Sequence, residues 1–189
     1  MATHRRTLPV LMAAALLAGG CGYNTIQTKD EAVNAAGSQI KTQLQRRADL
    51  IPNLVETVKG FARQESTVFI AVADARSRLS GAVQSGDLKA MGEANQALSA
   101  PLGRLLAIVE NYPELKSNAN FLQLQDQLEG TENRISVARQ DYNTAVQDFN
   151  AFIRRFPYNL TAKITGHGTP REYFELTTPG AAEAPKVKF

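Results

Sequence analysis

The sequence predicts an all-α fold: an elongated antiparallel up-and-down bundle of three to four long helices. Apolar residues recur at steps of three and four through most of the chain, which is typical of amphipathic helices. The breaks in this pattern are short, and short connections force neighbouring long helices to run antiparallel. The chain has 189 residues, of which 43% are hydrophobic, as expected for one globular domain.

The first long helix is predicted over roughly residues 29–80. Its apolar stripe consists of Val33, Ala36, Ile40, Leu44, Ile51, Leu54, Val58, Phe61, Val68, Val72, Ala75 and Leu79. Pro52 lies inside this stripe, and a proline within a helix costs about 3 kcal/mol. The stripe keeps its phase across Pro52, so we favour one helix kinked there over two helices broken at residues 49–52.

Two further long helices follow, each with a recognisable start and end. Asp87 is a good N-cap for a second helix over about residues 88–111. Pro113 ends this helix, because the residue before a proline is pushed out of the α region. Residues 117–118 can cap a third helix, which ends before Pro157.

The N-terminus has the plan of a secretory signal peptide over residues 1–20. Arg5 and Arg6 precede an apolar run of about 10 residues, and small residues follow. Spanning a bilayer takes about 20 residues, so a permanent transmembrane helix is the weaker interpretation.

Removal of residues 1–20 takes away two of the 21 basic side chains and leaves 19, against 18 acidic ones. A nearly neutral mature chain does not predict a nucleic-acid partner.

The only cysteine, Cys21, follows Gly19 and Gly20 and resembles the lipidation site of bacterial lipoproteins. The resemblance implies that Cys21 carries the lipid and becomes the first residue, followed by a linker over residues 21–28. It places the protein in the bacterial cell envelope, facing the periplasm. Gly22 favours the outer membrane where the host has two membranes. A plain secretory signal and an uncleaved anchor are the alternatives.

The chain lacks the residue sets of common metal and catalytic sites. One cysteine and two histidines, His4 and His167, do not make up a metal site. The motifs of phosphate-binding loops, dinucleotide-binding folds, zinc proteases and nucleophile elbows do not occur in the sequence. We therefore expect no cofactor, no metal and no enzymatic activity.

Several charged residues fall on the apolar helix faces. Burying an isolated charge is costly, so we expect pairing across helices. Arg47 or Arg76 is expected to pair with Glu132, and Arg139 with Glu65 or Asp49. The candidate buried polar layer consists of Arg47, Asp49, Glu65, Arg76, Glu132, Arg139 and Asn143. Such a layer sets helix register; a ligand or partner groove and plain solvent exposure are the alternatives.

The C-terminal region, residues 158–189, is expected to be a mostly irregular tail because glycine and proline interrupt any period. Tyr173 and Phe174 are expected to fold back onto the bundle, or alternatively to mark a partner-binding peptide. His167 lies between two glycines, but the sequence places no acidic or thiol partner beside it, so we do not expect it to be catalytic.

Several blocks resemble the signature blocks of the LemA family, in matching order and spacing. They are residues 46–55 (RRADLIPNLV), 112–116 (YPELK), 132–135 (ENRI), Ala138, Arg139, Tyr142, Asn143, and 156–157 (FP). The resemblance runs from about Tyr23 to Phe174. It implies a helical bundle held at a bacterial membrane by its N-terminus, without an established enzymatic activity or cofactor. Many members look as if they keep an N-terminal transmembrane helix, from which the short apolar run and Cys21 depart.

Two functions from different classes remain open for the bundle over residues 29–157. One is a membrane-anchored binding or adaptor module of the cell envelope, whose exposed face recruits an unknown envelope protein. The other is a structural homo-oligomer, in which apolar stripes that three helices cannot fully bury continue into further copies. An enzyme of unknown type is the third and weakest alternative.

Overall fold

The computed structural model describes the backbone of residues 4–174 and the side chains of residues 22–174. The regular structure of this part of the chain is entirely helical, which confirms the all-α prediction. The helices are α1 (His4–Lys59), α2 (Ser66–Ser85), α3 (Leu88–Val109), α4 (Pro113–Lys116), α5 (Ala119–Ile153) and α6 (Tyr158–Ile164). The predicted signal peptide, the side chain of Cys21 and the end of the tail after Phe174 lie outside the described side chains.

α1 passes through Pro52 without a break, as favoured from the sequence. The predicted continuation to about residue 80 is wrong, because α1 ends at Lys59 and α2 begins at Ser66. Gly60 opens this connection, and glycine is about 1 kcal/mol less favourable than alanine in a helix. The amides of Phe61 and Ala62 both donate to the carbonyl oxygen of Val58, at 3.0 and 2.9 Å, which tightens the last turn.

The described residues form two compact units. The terminal unit contains the chain up to Gln39 together with Ala138–Tyr173, and the central unit contains Ile40–Val137 with Phe174. No helix of the described part is both long and apolar enough to cross a membrane.

The central unit brings together residues 40–59 of α1, all of α2, α3 and α4, and residues 119–137 of α5. Arg76 Nε donates to the carbonyl oxygen of Ala48 at 2.9 Å, so α2 folds back against α1. α2 in turn packs against α3. The fully buried large side chains of the central unit include Ile40, Leu44, Ile51, Leu54, Leu79, Met91, Leu98, Leu105, Leu115 and Ile135.

Side-chain caps define the starts of α3 and α5. Asp87 Oδ1 accepts from the amides of Lys89 and Ala90 at 2.9 and 3.2 Å, which satisfies two N–H groups of the first turn of α3. Asn118 Oδ1 accepts from the amides of Asn120 and Phe121 at 3.0 and 3.1 Å at the start of α5. Both starts are those predicted from the sequence.

The terminal unit contains the first part of α1, the end of α5 and α6. α6 is a short helix at the start of the segment expected to be mostly irregular. It ends at Ile164, and Gly166, two residues later, has a φ of 81° in the left-handed region. The amide of His167 donates to the carbonyl oxygen of Ala162 at 2.8 Å, the pattern of a Schellman C-cap. The glycines around His167 thus belong to a helix terminus.

Candidate functional site

A buried arginine joins three helices inside the central unit. Arg47 of α1 is 8% exposed. Its Nη1 donates to Asn95 Oδ1 of α3 at 2.8 Å and to Glu132 Oε2 of α5. We call these three residues the Arg47 cluster.

Burial lowers the pKa of Arg47, and the negative charge of Glu132 opposes this shift. An arginine keeps its proton under physiological conditions, so the guanidinium is positively charged and the carboxylate of Glu132 balances this charge. The Glu132 side chain is 49% exposed, so its carboxylate reaches solvent while it accepts from the buried guanidinium. This arrangement connects α1, α3 and α5 through one buried guanidinium.

The other residues of the predicted layer are placed differently. Arg76 binds the backbone of α1. Asp49 is exposed and accepts from Gln45 Nε2 at 2.8 Å on the same helix. Glu65 directly precedes α2 and is half-buried. Half-buried Arg139 and Asn143 lie on the part of α5 that belongs to the terminal unit. The structure therefore brings together Arg47 and Glu132, and adds Asn95.

A second polar network binds the C-terminal segment to the terminal unit. Buried Asn150 of α5 donates through Nδ2 to the carbonyl oxygen of Arg171 at 2.9 Å, and its Oδ1 accepts from the amide of Arg171 at 2.8 Å. Tyr142 donates to the carbonyl oxygen of Glu172 at 3.1 Å. Arg171 Nε and Nη2 both donate to Asp30 Oδ1, at 3.1 and 2.7 Å. We call these five residues the C-terminal clamp.

The two aromatic residues after the clamp, which were expected to fold back onto the bundle, differ in burial. Phe174 is 6% exposed, and Tyr173 is 47% exposed. The clamp itself was missed by sequence reasoning. Its partners are backbone groups, and these carry no sequence signal.

Tyr142 makes the clamp sensitive to alkaline pH. Burial raises the pKa of Tyr142; the charge of Arg171 lowers it and that of Glu172 raises it, with a net upward shift. The folded chain therefore holds this proton more tightly than the unfolded chain, whose tyrosines titrate near pH 10. The stabilisation by Tyr142 is fully present below about pH 10 and is lost as the pH rises through the folded-state pKa.

Denaturant unfolding of the wild-type chain and of Tyr142→Phe at a series of pH values tests this expectation. The difference in free energy of unfolding between the two chains should be constant below about pH 9 and should shrink above about pH 10. A difference that stays constant to about pH 11 would show that Tyr142 does not lose a favourable contact on ionisation.

The outer surface of the central unit carries an apolar groove between the end of α1 and the start of α2. It has a volume of about 580 Å³ and is lined by Val55, Glu56, Lys59, Gly60, Arg63, Ser66, Phe69, Ile70 and Ala73. Ile70 is 61% exposed. Lys59 Nζ lies 5.8 Å from the centre of the Phe69 ring and 3.0 Å from Glu56 Oε1.

A second groove of about 650 Å³ lies beside α1 in the same unit. It is lined by Lys41, Thr42, Gln45, Arg46, Asp49, Leu50, Asn53 and Val83. The block over residues 46–55 therefore serves both sides of the helix. Arg47, Ile51 and Leu54 enter the core, while Arg46 and Asn53 line the groove.

Comparison with known proteins gives a consistent family assignment. Magnetosome protein MamQ 2 of Paramagnetospirillum magneticum is 31% identical over 181 residues, covering 84% of this chain and 66% of that relative. Magnetosome protein MamQ of Magnetospirillum gryphiswaldense is 28% identical with the same coverage. Protein LemA of Metamycoplasma hominis is 24% identical over 140 residues, covering 74% of this chain and 63% of that relative.

The chain thus spans slightly less than two thirds of the length of these relatives. The model of the LemA family matches residues 36–189, a region that contains the Arg47 cluster and both grooves. Because this match covers more than half of the sequence, the chain belongs to the LemA family.

Proposed function

We propose that the protein is a membrane-attached binding module of the bacterial cell envelope, which acts by contact with a partner protein instead of by catalysis. The N-terminal signal and Cys21 support attachment by a lipid on the periplasmic side. Acyl chains contribute about 0.8 kcal/mol for each buried CH₂, so several chains hold a protein firmly at one leaflet. The folded helices then present their surfaces to other envelope proteins.

The apolar groove is the observation that carries the binding role. Single exposed apolar residues are common on protein surfaces. Ile70 differs because it lies beside Val55 and Phe69 in a concave surface of about 580 Å³, a volume typical of binding pockets. Binding is favoured when a partner side chain fills a concave apolar surface of this kind, because apolar area is removed from water.

Charge at the rim specifies the chemistry of the partner. Glu56 already neutralises Lys59, whereas exposed Arg63 forms no ion pair among the described residues. A guanidinium binds a carboxylate with two parallel hydrogen bonds. The occupant that fits is a segment of a partner protein with one large apolar side chain and a neighbouring acidic residue.

Site-specific crosslinking of the full chain in cells tests this proposal. A photo-reactive residue at Ser66, which lines the groove, should yield one main product with another envelope protein. Ile70→Asp should lower its yield at least about tenfold, because burial of an isoleucine side chain is worth about 1.5–3 kcal/mol. Arg63→Glu should also lower the yield, since the new carboxylate would lie against the acidic residue of the partner.

Leu122→Asp is the matched control, because Leu122 is also an exposed apolar residue of the central unit, at 46%, and lines neither groove. Its yield should equal that of the wild-type chain. Equal losses in Ile70→Asp and Leu122→Asp would contradict the proposal. A product formed only between copies of this chain would favour the homo-oligomer instead.

A further inference from the structure

α6 and the residue before its N-cap expose an apolar face. Phe156, Leu160 and Ile164 are 80%, 53% and 86% exposed. Leu160 and Ile164 are four residues apart in α6, which places them on one side of that helix. Phe156 lies in the turn just before the N-cap residue, Pro157. The opposite side is fixed to the protein: the Tyr158 ring stacks on Phe152 with centroids 4.4 Å apart, and Ala162 is fully buried. An outward apolar side is the reverse of the usual pattern of a helix on a soluble protein.

Positive charge surrounds this face. Residues 154–171 contain four basic side chains and no acidic one. Arg171 is bound to Asp30. Arg154, Arg155 and Lys163 are exposed and form no ion pair within the described part of the chain. Apolar residues flanked by arginine and lysine are the composition that binds at the surface of an anionic bilayer.

The inward side of the same helix lies beside the residue that follows the predicted lipid attachment. A Cβ atom at Gly22 would lie 2.6 Å from Cδ1 of Tyr158, so the Tyr158 ring lies directly against the backbone of the residue that follows Cys21. Only glycine allows this approach. α6 therefore lies against a residue that is one position along the chain from the predicted site of the lipid.

We propose that Phe156, Leu160 and Ile164 form a second membrane contact, inserted at the headgroup level of an anionic bilayer. Arg154, Arg155 and Lys163 bind the lipid phosphates around it. This inference rests on the proposed attachment at Cys21. The contact determines which side of the terminal unit faces the lipid, because a lipid on Cys21 alone would leave the unit able to rotate.

A single tryptophan tests the contact directly, because the chain contains none. The full chain with Ile164→Trp is reconstituted in vesicles of phosphatidylcholine and phosphatidylglycerol with brominated acyl chains. Its emission should shift to shorter wavelength and be quenched at least about twofold, since residues at the headgroup boundary lie about 5–10 Å into the membrane, within reach of bromine. Val137→Trp, at a position 57% exposed on α5, is the control and should remain unquenched.

The cations are tested in the same Ile164→Trp chain. We expect a loss of quenching in each of three substitutions, Arg154→Gln, Arg155→Gln and Lys163→Gln. Each should lower about fivefold the equilibrium ratio between chains whose apolar face is inserted in the membrane and chains whose face is free. Lys89→Gln, at an exposed position of the central unit, should leave the quenching unchanged. Vesicles of phosphatidylcholine alone should give less quenching than the anionic vesicles.

Flotation of the vesicles and the mass of the N-terminal peptide separate the two proposals. A lipidated chain that floats without quenching of Ile164→Trp would overturn the membrane contact and leave the attachment standing. A blue shift without quenching by bromine would assign the face to a protein contact and would also overturn it. A chain that does not float and carries no added mass would overturn the attachment and, with it, this inference.

Discussion

Arg47→Ala is expected to lower the free energy of unfolding by about 3 kcal/mol, the largest effect of any polar substitution in the central unit. Truncation leaves Asn95 Oδ1 buried without its donor at 2.8 Å, and an unsatisfied buried polar group costs about 1–3 kcal/mol. It also removes the aliphatic part of the side chain, which packs in the core. Glu132 adds little to this loss, because its half-exposed carboxylate returns to water.

Urea unfolding of the full chain measures this effect, with Arg46→Ala as the matched control. Arg46 is the neighbouring arginine on the same helix, and it is exposed. Its removal should change the free energy of unfolding by less than about 0.5 kcal/mol. Similar values for Arg46→Ala and Arg47→Ala would show that the Arg47 cluster does not contribute to stability.

A double substitution separates the stability of the cluster from its role in helix register. Arg47→Met with Asn95→Leu replaces both buried polar groups by apolar ones of similar size, and such replacements are often neutral or stabilising. We expect a free energy of unfolding within about 1 kcal/mol of the wild-type value. If the cluster sets register, this chain should remain stable but show several conformers or a changed oligomeric state by NMR and light scattering.

The helix order was predictable from the sequence because most boundaries have local causes. Asp87 and Asn118 cap the helices that they were expected to cap. The connection after Lys59 was not predictable in this way. The apolar stripe resumes in phase beyond it, so periodicity alone cannot separate one helix from two. Gly60 was the available signal, and its small cost does not by itself end a helix.

The Arg47 cluster was partly predictable, because opposite charges on apolar faces must find partners. Asn95 was visible only as a polar residue in an apolar stripe, and its partner could not be read from spacing. The exposed face of α6 gave no sequence signal, because a helix of seven residues is too short for a period to be recognised. Burial and exposure therefore had to come from the structure.

Asn150→Leu is expected to release the C-terminal segment and to destabilise it by about 2 kcal/mol. The substitution removes two hydrogen bonds to the backbone of Arg171, each worth about 0.5–1.5 kcal/mol net. The Arg171–Glu172 peptide bond is a trypsin site, and cleavage of a transiently opened segment follows the population of the open form. We therefore expect cleavage after Arg171 to become about 30-fold faster, since 1.4 kcal/mol corresponds to a factor of ten.

Mass spectrometry of timed trypsin digests measures this rate, and two controls show that the effect is local. Gln147→Leu changes an exposed residue of the same helix, three positions earlier, and should leave the rate unchanged. Cleavage after Arg104, an exposed residue of the central unit, should be equally fast in both chains. An increase at Arg104 as large as that at Arg171 would indicate global unfolding. An unchanged rate at Arg171 would mean that Tyr142 and Asp30 hold the segment without Asn150, because these are the remaining contacts of the clamp.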